Sequence, residues 1–322
     1  MYNIVYNYRK WVMRERQNIC RELNIVIRRG ERRNYMVEYI LGDYLVETGK
    51  ISKEQLDDVV GQLDKVRVKL GLIAVAEGMM TTEQADEVNK LQSVMDKRFG
   101  DIAVGKGYLT DEQIGNLLKA QGNTYMTFVQ ALINEGLVKM EEIEDILEGF
   151  RVKNSFSKMD IEILKSDDPD VVVPLFLTPE TLKYQEIIGV VVRTIIRCID
   201  RHVYIGKATL SDKCQLSFAT VQKVDGEKGF VSAFMEQDGG LLKLASVFGQ
   251  EDFIDLDDDA LDAACEFLNC VNGLHASTLS QRGAILELLP PEMIEYTGEI
   301  NGQVCSIPIY VSNKKLLFIV TE

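Results

Sequence analysis

The sequence predicts a multidomain protein: a first, all-α part built from helical-hairpin repeats, and a second, α+β part with a mixed or antiparallel sheet and two long helices. Glycines recur every 29 residues within 36–151. Strand-like and helical segments follow one another irregularly over 179–322. A linker occupies 152–178, in which 167–170 is predicted as a loop and 171–174 as a short extended piece. With 322 residues, 46% of them apolar, each part can bury a core of its own.

The first 35 residues differ in charge from the rest of the chain. They hold nine basic and three acidic side chains, which leaves 27 basic and 47 acidic ones for residues 36–322. Their apolar residues show no sustained helical spacing. They end in Arg28-Arg29-Gly30-Glu31-Arg32-Arg33, a run of residue types that purine-only codons can encode, as in a ribosome-binding leader read as protein. We interpret 1–35 as a basic leader outside the native protein, which would start at Met36; the alternative is a genuine basic arm.

Composition excludes several classes of function. The six cysteines include no C-x-x-C pair and the two histidines are far apart in sequence, so no metal, haem or disulfide framework is predicted. The longest apolar stretch, 187–196, is interrupted by Arg193 and is too short for a transmembrane segment. The formal charge of −14 argues against a nucleic-acid partner. We therefore expect a cytoplasmic protein.

The glycine period predicts four helix-turn-helix repeats over 36–151. Gly49, Gly78, Gly107 and Gly136 are each 29 residues apart, and a glycine after a helix adopts the left-handed conformation that ends it. Three residues later, Ser52, Thr81 and Thr110 each precede a Gln by three positions, which is a capping box that opens the next helix. Apolar residues at three-residue spacing then give each helix one buried face.

The third copy, from Arg98-Phe-Gly-Asp to Lys-Ala-Gln121, resembles the N-terminal domain of type II secretion and pilus ATPases of the GspE and MshE type. In some members of that family two such motifs bind cyclic di-GMP. The resemblance implies a candidate cyclic di-GMP site in copies two and three, formed by Lys69, Gly71, Gln92, Arg98, Gly100 and Gln121. Copies one and four lack both the basic residue at the first position of the motif and the Gln at its last position. The alternative is that the glycines only shape the helices and the array docks a protein.

The second part carries the elements of an α+β domain. Helices are predicted at about 179–200, 241–248 and 257–281, and strands at 202–210, 215–222, 229–236, 284–289, 292–300, 303–312 and 316–321. The helix at 257–281 contains the candidate catalytic residues. Glu266 and Asn269 are three residues apart and should project together toward solvent or a partner, with Gly273 one turn on, where a second backbone could approach. No nucleophile or histidine base accompanies them, but a carboxamide can orient a water molecule.

This constellation resembles the CheC and CheX family of chemotaxis phosphatases, whose signature is Glu-x-x-Asn on a long helix, then a Gly and a later Pro-Pro. The matching residues are Glu266-Phe-Leu-Asn269, Gly273 and Pro290-Pro291. The resemblance implies a CheX-like domain over 179–322 that dephosphorylates the aspartyl phosphate of a CheY-like receiver. It makes Asn269 the catalytic residue that positions water and Glu266 the partner of a receiver lysine. The receiver would supply its own Mg²⁺, so the chain needs no cofactor.

Other interpretations remain open beside the phosphatase. The chain could be a non-catalytic signalling adaptor or a flagellar-switch-like scaffold that shares the architecture, and it could form a homodimer. Asp255, Asp257, Asp259 and Glu266 also imitate four ligand positions of an EF-hand loop. That reading fails because Ala260 stands where the sharp turn of the loop demands Gly. The aspartates are better explained as an acidic first turn of the helix.

Overall fold

A computed structural model describes residues 36–95 and 97–322. The stretch 1–35, and with it the interpretation of Met36 as the native start, lies outside the described residues. The chain divides into two compact units: a helical unit, Val37–Asp167, and a sheet unit that comprises Asp168–Glu322 together with Met36. The protein is thus multidomain, with an α part and an α+β part.

The described part of the helical unit contains nine α-helices, in four successive pairs and one final helix. They are α1 (Met36–Glu47), α2 (Lys53–Gln62), α3 (Leu70–Ala76), α4 (Thr82–Met95), α5 (Phe99–Gly105), α6 (Asp111–Ala120), α7 (Thr124–Asn134), α8 (Ile143–Asn154) and α9 (Lys158–Lys165). Short 3₁₀ turns follow α2, at Leu63–Lys65, and precede α8, at Met140–Glu142. Asp167 Oδ1 accepts a hydrogen bond from the backbone N–H of Val37, so the last residue of the unit caps its first helix.

Glycine and capping-box residues set the turns within the four pairs. Gly49, Gly78, Gly107 and Gly136 have φ between 66° and 73°, in the left-handed region where a Cβ is disfavoured. The side chains of Ser52 and Thr110 accept from the N–H of Gln55 and Gln113, whose own side chains return the bond. That the four pairs are copies of one repeat stays a prediction.

The segment 152–178 differs from the predicted loop and extended piece. It is helical over most of its length: α8 runs to Asn154, α9 follows, and α10 (Pro169–Val172) continues into a 3₁₀ turn, Val173–Phe176. Asp168 caps α10 by accepting from the N–H of Asp170, and Pro169 occupies the first helical position, where its missing N–H costs nothing. The Asp-Pro pair therefore starts a helix and does not form the predicted loop.

The described part of the sheet unit contains eight strands in one sheet, and every pair is antiparallel. They are β1 (Tyr204–Ile205), β2 (Thr209–Leu216), β3 (Ala219–Gly226), β4 (Phe230–Glu236), β5 (Leu286–Leu288), β6 (Glu292–Ile294), β7 (Gly298–Val311) and β8 (Lys314–Thr321). The order is β1-β7-β8-β4-β3-β5; β2 also pairs with β7, and β6 with β3. Three predicted strands are interrupted: 202–210 at 206–208, 215–222 by the turn at Phe218, whose φ is 45°, and 292–300 at 295–297.

Besides the short α10, the described part of the sheet unit contains three longer helices, α11 (Gln185–Cys198), α12 (Gly240–Gly249) and α13 (Asp258–Gln281), and a 3₁₀ turn at Leu182–Tyr184 precedes α11. Strand β4 shows how the helices cover one face, because Phe230, Ser232 and Phe234 contact residues of α13. The alternate residues of β4 lie on the opposite face, in a second apolar cluster formed by Leu216, Ala219, Ala233, Met235, Ile300, Val304 and Ile319. Within the described residues, no helix has the length and apolar character needed to cross a membrane.

Candidate functional site

Helix α13 positions the predicted catalytic residues. Asp257 caps it, since its Oδ1 accepts from the N–H of Ala260 at 2.9 Å, and the acidic residues Asp258 and Asp259 fill the first turn. The apolar face of the helix is fully buried, with Leu261, Ala264, Leu268 and Val271 all 0% exposed. This burial anchors α13 over β3 and β4 and leaves Asn269 half-buried beside the sheet.

Asn269 is held by a chain of buried polar side chains. Gln222 of β3 donates from Nε2 to Asn269 Oδ1 at 2.6 Å, and its Oε1 accepts from Asn272 Nδ2 at 2.8 Å. Asn272 Oδ1 accepts from Ser232 Oγ at 2.9 Å. Gln222 is 1% exposed, and Asn272 and Ser232 are 0% exposed. Sequence reasoning missed these three residues. For Gln222 and Ser232 the signal was a polar side chain at a helix-facing position of β3 and β4; Asn272 lies on α13 itself.

The Pro-Pro segment enters the site through the residue before it. Leu289 donates its N–H to the carbonyl of Lys223 at 3.0 Å, and its carbonyl accepts the second hydrogen bond of Gln222 Nε2 at 2.8 Å. Pro290 and Pro291 follow, and their rings fix φ directly after this peptide. The two prolines therefore stabilise the backbone that orients Gln222.

Glu266 is placed differently from our expectation. It is 8% exposed, so it does not project into solvent beside Asn269. Asn269, three residues further along α13, is half-buried and bonded to Gln222, so the two side chains have different environments.

Two further residues of α13 near Glu266 and Asn269 bear on the chemistry of the site, Cys265 and Gly273. Burial, together with the charges of Asp262 and Glu266, raises the pKa of Cys265 to about 12, which excludes this thiol as a nucleophile. At Gly273, a Cβ would approach only Leu288 Cδ2, at 3.8 Å, which is ordinary contact. The packing of the sheet unit therefore does not require a glycine at this position.

In the helical unit, the residues predicted to bind cyclic di-GMP converge. Lys69, Gln92, Arg98, Gly100 and Gln121 line one cavity of about 910 Å³; Gly71, the sixth predicted residue, does not. Arg67 adds a third cation, and Asp101 and Asp111 also line the cavity. None of the three cations forms an ion pair with a described residue. We call this cavity the groove.

The two motif copies contact each other reciprocally at the groove. Gln121 Nε2, at the end of copy three, donates to the carbonyl of Val68, which precedes the basic residue of copy two. Gln92 Nε2, at the end of copy two, donates at 3.4 Å to the carbonyl of Lys97, which precedes the basic residue of copy three. The groove therefore has equivalent groups on its two sides.

The motif glycines serve helix packing. A Cβ at Gly71 would lie 3.0 Å from the Phe99 ring, and a Cβ at Gly100 would lie 3.2 Å from Ile114. Each glycine therefore admits a side chain of another helix. That these two glycines contribute to a ligand site stays a prediction; Gly100 lines the groove and Gly71 does not.

A second cavity, of about 440 Å³, lies in the sheet unit and is lined by residues that include Tyr184, Phe230 and His275. His275 is 8% exposed, and its Nδ1 has no hydrogen-bond partner among the described residues. Burial lowers the pKa of His275, so the ring is neutral at pH 7 and brings no positive charge to the cavity. No cluster of three or more His, Cys, Asp or Glu side chains in 36–95 and 97–322 could hold a metal ion.

Comparisons with known proteins give structural neighbours only. No family model and no curated protein matches the sequence. The CheX protein of Desulfovibrio desulfuricans is 14% identical over 43% of this chain and 97% of its own, with a TM-score of 0.37. A complex of CheX with CheY, BeF₃ and Mg²⁺ from Borrelia burgdorferi matches at 15% identity over 42% of this chain and 94% of that one, with a TM-score of 0.33.

The FliY protein of Thermotoga maritima is 15% identical over 44% of this chain and 90% of its own, with a TM-score of 0.31. At these identities and TM-scores, the likeness supports no conclusion about activity, which has to come from the site itself. The resemblance of the helical unit to secretion ATPase domains stays a prediction.

Proposed function

We propose that the sheet unit hydrolyses the aspartyl phosphate of a CheY-like receiver and that Asn269 is its catalytic residue. The observation that carries this proposal is the carboxamide of Asn269, which is half-buried on α13 and oriented by Gln222 at 2.6 Å. A fixed carboxamide can hold a water molecule in line with a phosphoryl group without acting as a base, and positioning is the main requirement of phosphoryl transfer.

In the proposed step, the oxygen of water forms a bond to phosphorus while the bond from phosphorus to the aspartyl oxygen breaks. The electron pair of the broken bond stays on the aspartate, which becomes a carboxylate, and the proton lost by the water is taken up by the phosphate product. The receiver would bring Mg²⁺ and the phosphorylated aspartate; this chain contributes the carboxamide. Gly273 would leave room for the backbone of the partner.

Docking has to overcome the electrostatic repulsion between acidic groups on the two proteins. Asp262 and Glu266 lie on α13 near Asn269, and the metal-binding site of a receiver is itself acidic. A lysine from the receiver would have to reach the 8% exposed Glu266 at the edge of the helix. The burial of Glu266 therefore supports its docking role less directly than the orientation of Asn269 supports catalysis.

Phosphate release tests the proposal. Each CheY-like receiver of the source organism is phosphorylated with acetyl phosphate and Mg²⁺, and inorganic phosphate is measured with wild type, with Asn269→Ala and without the protein. We expect wild type to accelerate release from at least one receiver, and Asn269→Ala to lower kcat about 100-fold, because removing a positioned hydrogen-bonding group typically has an effect of this size.

The matched control is Ser280→Ala, an exposed change near the end of α13, which should keep wild-type kcat. If wild type leaves the lifetime of every phosphorylated receiver unchanged, the phosphatase proposal is wrong and the non-catalytic adaptor is favoured. Homodimer formation is a separate prediction, which this assay does not address.

A second candidate function is binding of cyclic di-GMP in the groove. Three cations without ion pairs among the described residues suit two phosphates, and the reciprocal bonds of Gln92 and Gln121 suit a ligand with two equivalent halves. The volume of about 910 Å³ falls within the usual range of small-molecule sites.

Calorimetry with cyclic di-GMP on the full chain tests this site. We expect Arg98→Ala to weaken binding by about 10-fold or more, because it removes a charge-assisted contact to phosphate. Lys139→Ala, in the same unit but outside the groove, should leave the affinity unchanged. Absence of heat with wild type at high micromolar ligand, or equal losses in both variants, would remove this candidate.

A further inference from the structure

We propose that Gln222 is a positioning residue that fixes which end of the Asn269 carboxamide faces the reacting groups. Under this proposal, the Nδ2 amino group points outward and the Oδ1 carbonyl points into the protein. The inference rests on the proposed function, because it assigns an orientation to the group that acts there. It also goes further, since neither motif resemblance nor helix geometry involves a residue of β3.

The orientation follows from the direction of each hydrogen bond. The carbonyl of Leu289 can only accept, so the group of Gln222 that faces it, at 2.8 Å, must be the Nε2 amino group. The same nitrogen has one further N–H, which it donates to Asn269 at 2.6 Å. The atom of Asn269 that receives this bond must therefore be Oδ1. Nδ2 is left to face away from Gln222.

The rest of the chain supports the same assignment. With its Nε2 committed, Gln222 offers Oε1 on its other side, and Asn272 donates to it from Nδ2 at 2.8 Å. Asn272 Oδ1 then accepts from the hydroxyl of Ser232 at 2.9 Å. Every donor in this chain of hydrogen bonds meets an acceptor. A rotation of any one amide by 180° would therefore place two donors, or two acceptors, opposite each other.

Burial makes the orientation costly to change. Gln222, Asn272 and Ser232 are at most 1% exposed, so water cannot replace a lost partner. The Leu289 carbonyl is itself tied to β3, because the N–H of the same residue bonds Lys223. The backbone of the sheet thus determines the orientation of a side chain at the surface of α13.

An outward amino group has a definite chemistry. Its two N–H groups can donate to oxygen atoms, one to the attacking water and one to a phosphoryl oxygen. As the water oxygen bonds to phosphorus and the aspartyl oxygen leaves with the bonding electrons, negative charge grows on the phosphoryl oxygens, and an N–H donor stabilises it. A carbonyl in the same place would repel those oxygens.

A purely structural role for Gln222 makes a different prediction, and kinetics separate the two. In Gln222→Met, the side chain keeps its approximate volume but loses all three hydrogen bonds. We expect kcat for the receiver that wild type dephosphorylates to fall about 10- to 100-fold, because the carboxamide is no longer held. KM should stay within about twofold, since the docking surface is unchanged.

The control is Thr220→Val, which lies on the same strand and the same face. Thr220 is 0% exposed, and its Oγ1 has no hydrogen-bond partner among the described residues. We expect this variant to retain wild-type kcat. In addition, Gln222→Met should cause no further loss in an Asn269→Ala background, because Gln222 acts only through Asn269.

A variant outside the core covers the case in which Gln222→Met does not fold. Asn269→Asp keeps an acceptor toward Gln222 but replaces the outward N–H donors with an oxygen, and we expect it to be as inactive as Asn269→Ala. Activity above about one tenth of wild type would overturn the orientation, because a carbonyl-type group would then suffice.

The outcomes distinguish this proposal from the one on which it rests. Wild type without activity toward any receiver removes the proposed function and the role of Gln222 together. Active wild type with an unchanged kcat in Gln222→Met, or additive losses in the double variant, removes the role of Gln222 alone. A loss confined to kcat and absent from Thr220→Val supports it.

Discussion

Phe234→Ala should lower the free energy of unfolding of the sheet unit by about 3–5 kcal/mol. Phe234 lies on β4, is 0% exposed, and contacts the rings of Phe267 and Phe318 with centroids 5.8 and 5.2 Å apart. Truncation removes these contacts and leaves a cavity between α13 and the sheet. The aromatic pairs add to the loss because tilted rings attract one another beyond the area that they bury.

Urea unfolding, followed by fluorescence or circular dichroism, measures this change in the free energy of unfolding. Tyr296→Ala is the control, because this aromatic side chain is 77% exposed and its loss should change the free energy by no more than about 0.5 kcal/mol. A loss below about 1.5 kcal/mol for Phe234→Ala would mean that β4 and α13 are not packed as described.

Gly240→Ala should lower the free energy of unfolding by about 3 kcal/mol, for a different reason. A Cβ at Gly240 would lie 2.4 Å from the carbonyl carbon and oxygen of Lys315 and 2.6 Å from the nitrogen of Leu316. These are backbone atoms of β8, so no rotamer change relieves the clash. Helix α12 would have to move away from the strand, and the bonds from its first N–H groups to Glu236 would lengthen.

Gly105→Ala is the comparison, since Gly105 lies in α5 and a Cβ there meets nothing within 4 Å. Replacement of this helical glycine should raise stability by about 0.5–1 kcal/mol. The two substitutions are chemically identical, so opposite signs in thermal denaturation are the expected result. If Gly240→Ala left the Tm unchanged, the close approach of α12 to β8 would be wrong.

Features encoded locally could be predicted from the sequence. The bounds of α13 were predicted at 257–281 and are Asp258–Gln281, because Asp257 caps the helix and a three- and four-residue apolar spacing continues to its end. The turns at Gly49 and Gly107 follow in the same way from a left-handed glycine and a capping box. An antiparallel sheet could be expected because helices and strands do not alternate regularly.

Features that depend on long-range pairing could not be predicted. Gln222 and Asn269 are 47 residues apart, and no spacing rule connects a strand residue to a helix residue at that distance. The burial of Glu266 likewise depends on the tertiary packing around α13, which the helix sequence alone does not specify. The segment after Asp168 misled us because Asp-Pro is equally typical of a loop and of a capped helix start.

In the helical unit, the spacing of the motifs predicted which residues lie close together but not how the glycines pack. The two motif copies predicted five residues that line one groove, although these residues lie in different helices or at helix ends. The sequence did not indicate that a Cβ at Gly71 or Gly100 would meet Phe99 or Ile114. A glycine at a helix contact and a glycine at a ligand have the same sequence signature, so only the structure separates them.

The most direct test of the central claim is a structure of the complex between this chain and the receiver that it dephosphorylates, with BeF₃⁻ and Mg²⁺ in place of the phosphoryl group. We predict that Asn269 Nδ2 lies within about 3 Å of a fluoride or of the water in line with beryllium, with Gln222 still bonded to Oδ1. A receiver bound elsewhere on the chain, or Asn269 too far away to contact the beryllofluoride or that water, would contradict the assignment of Asn269 as the catalytic residue.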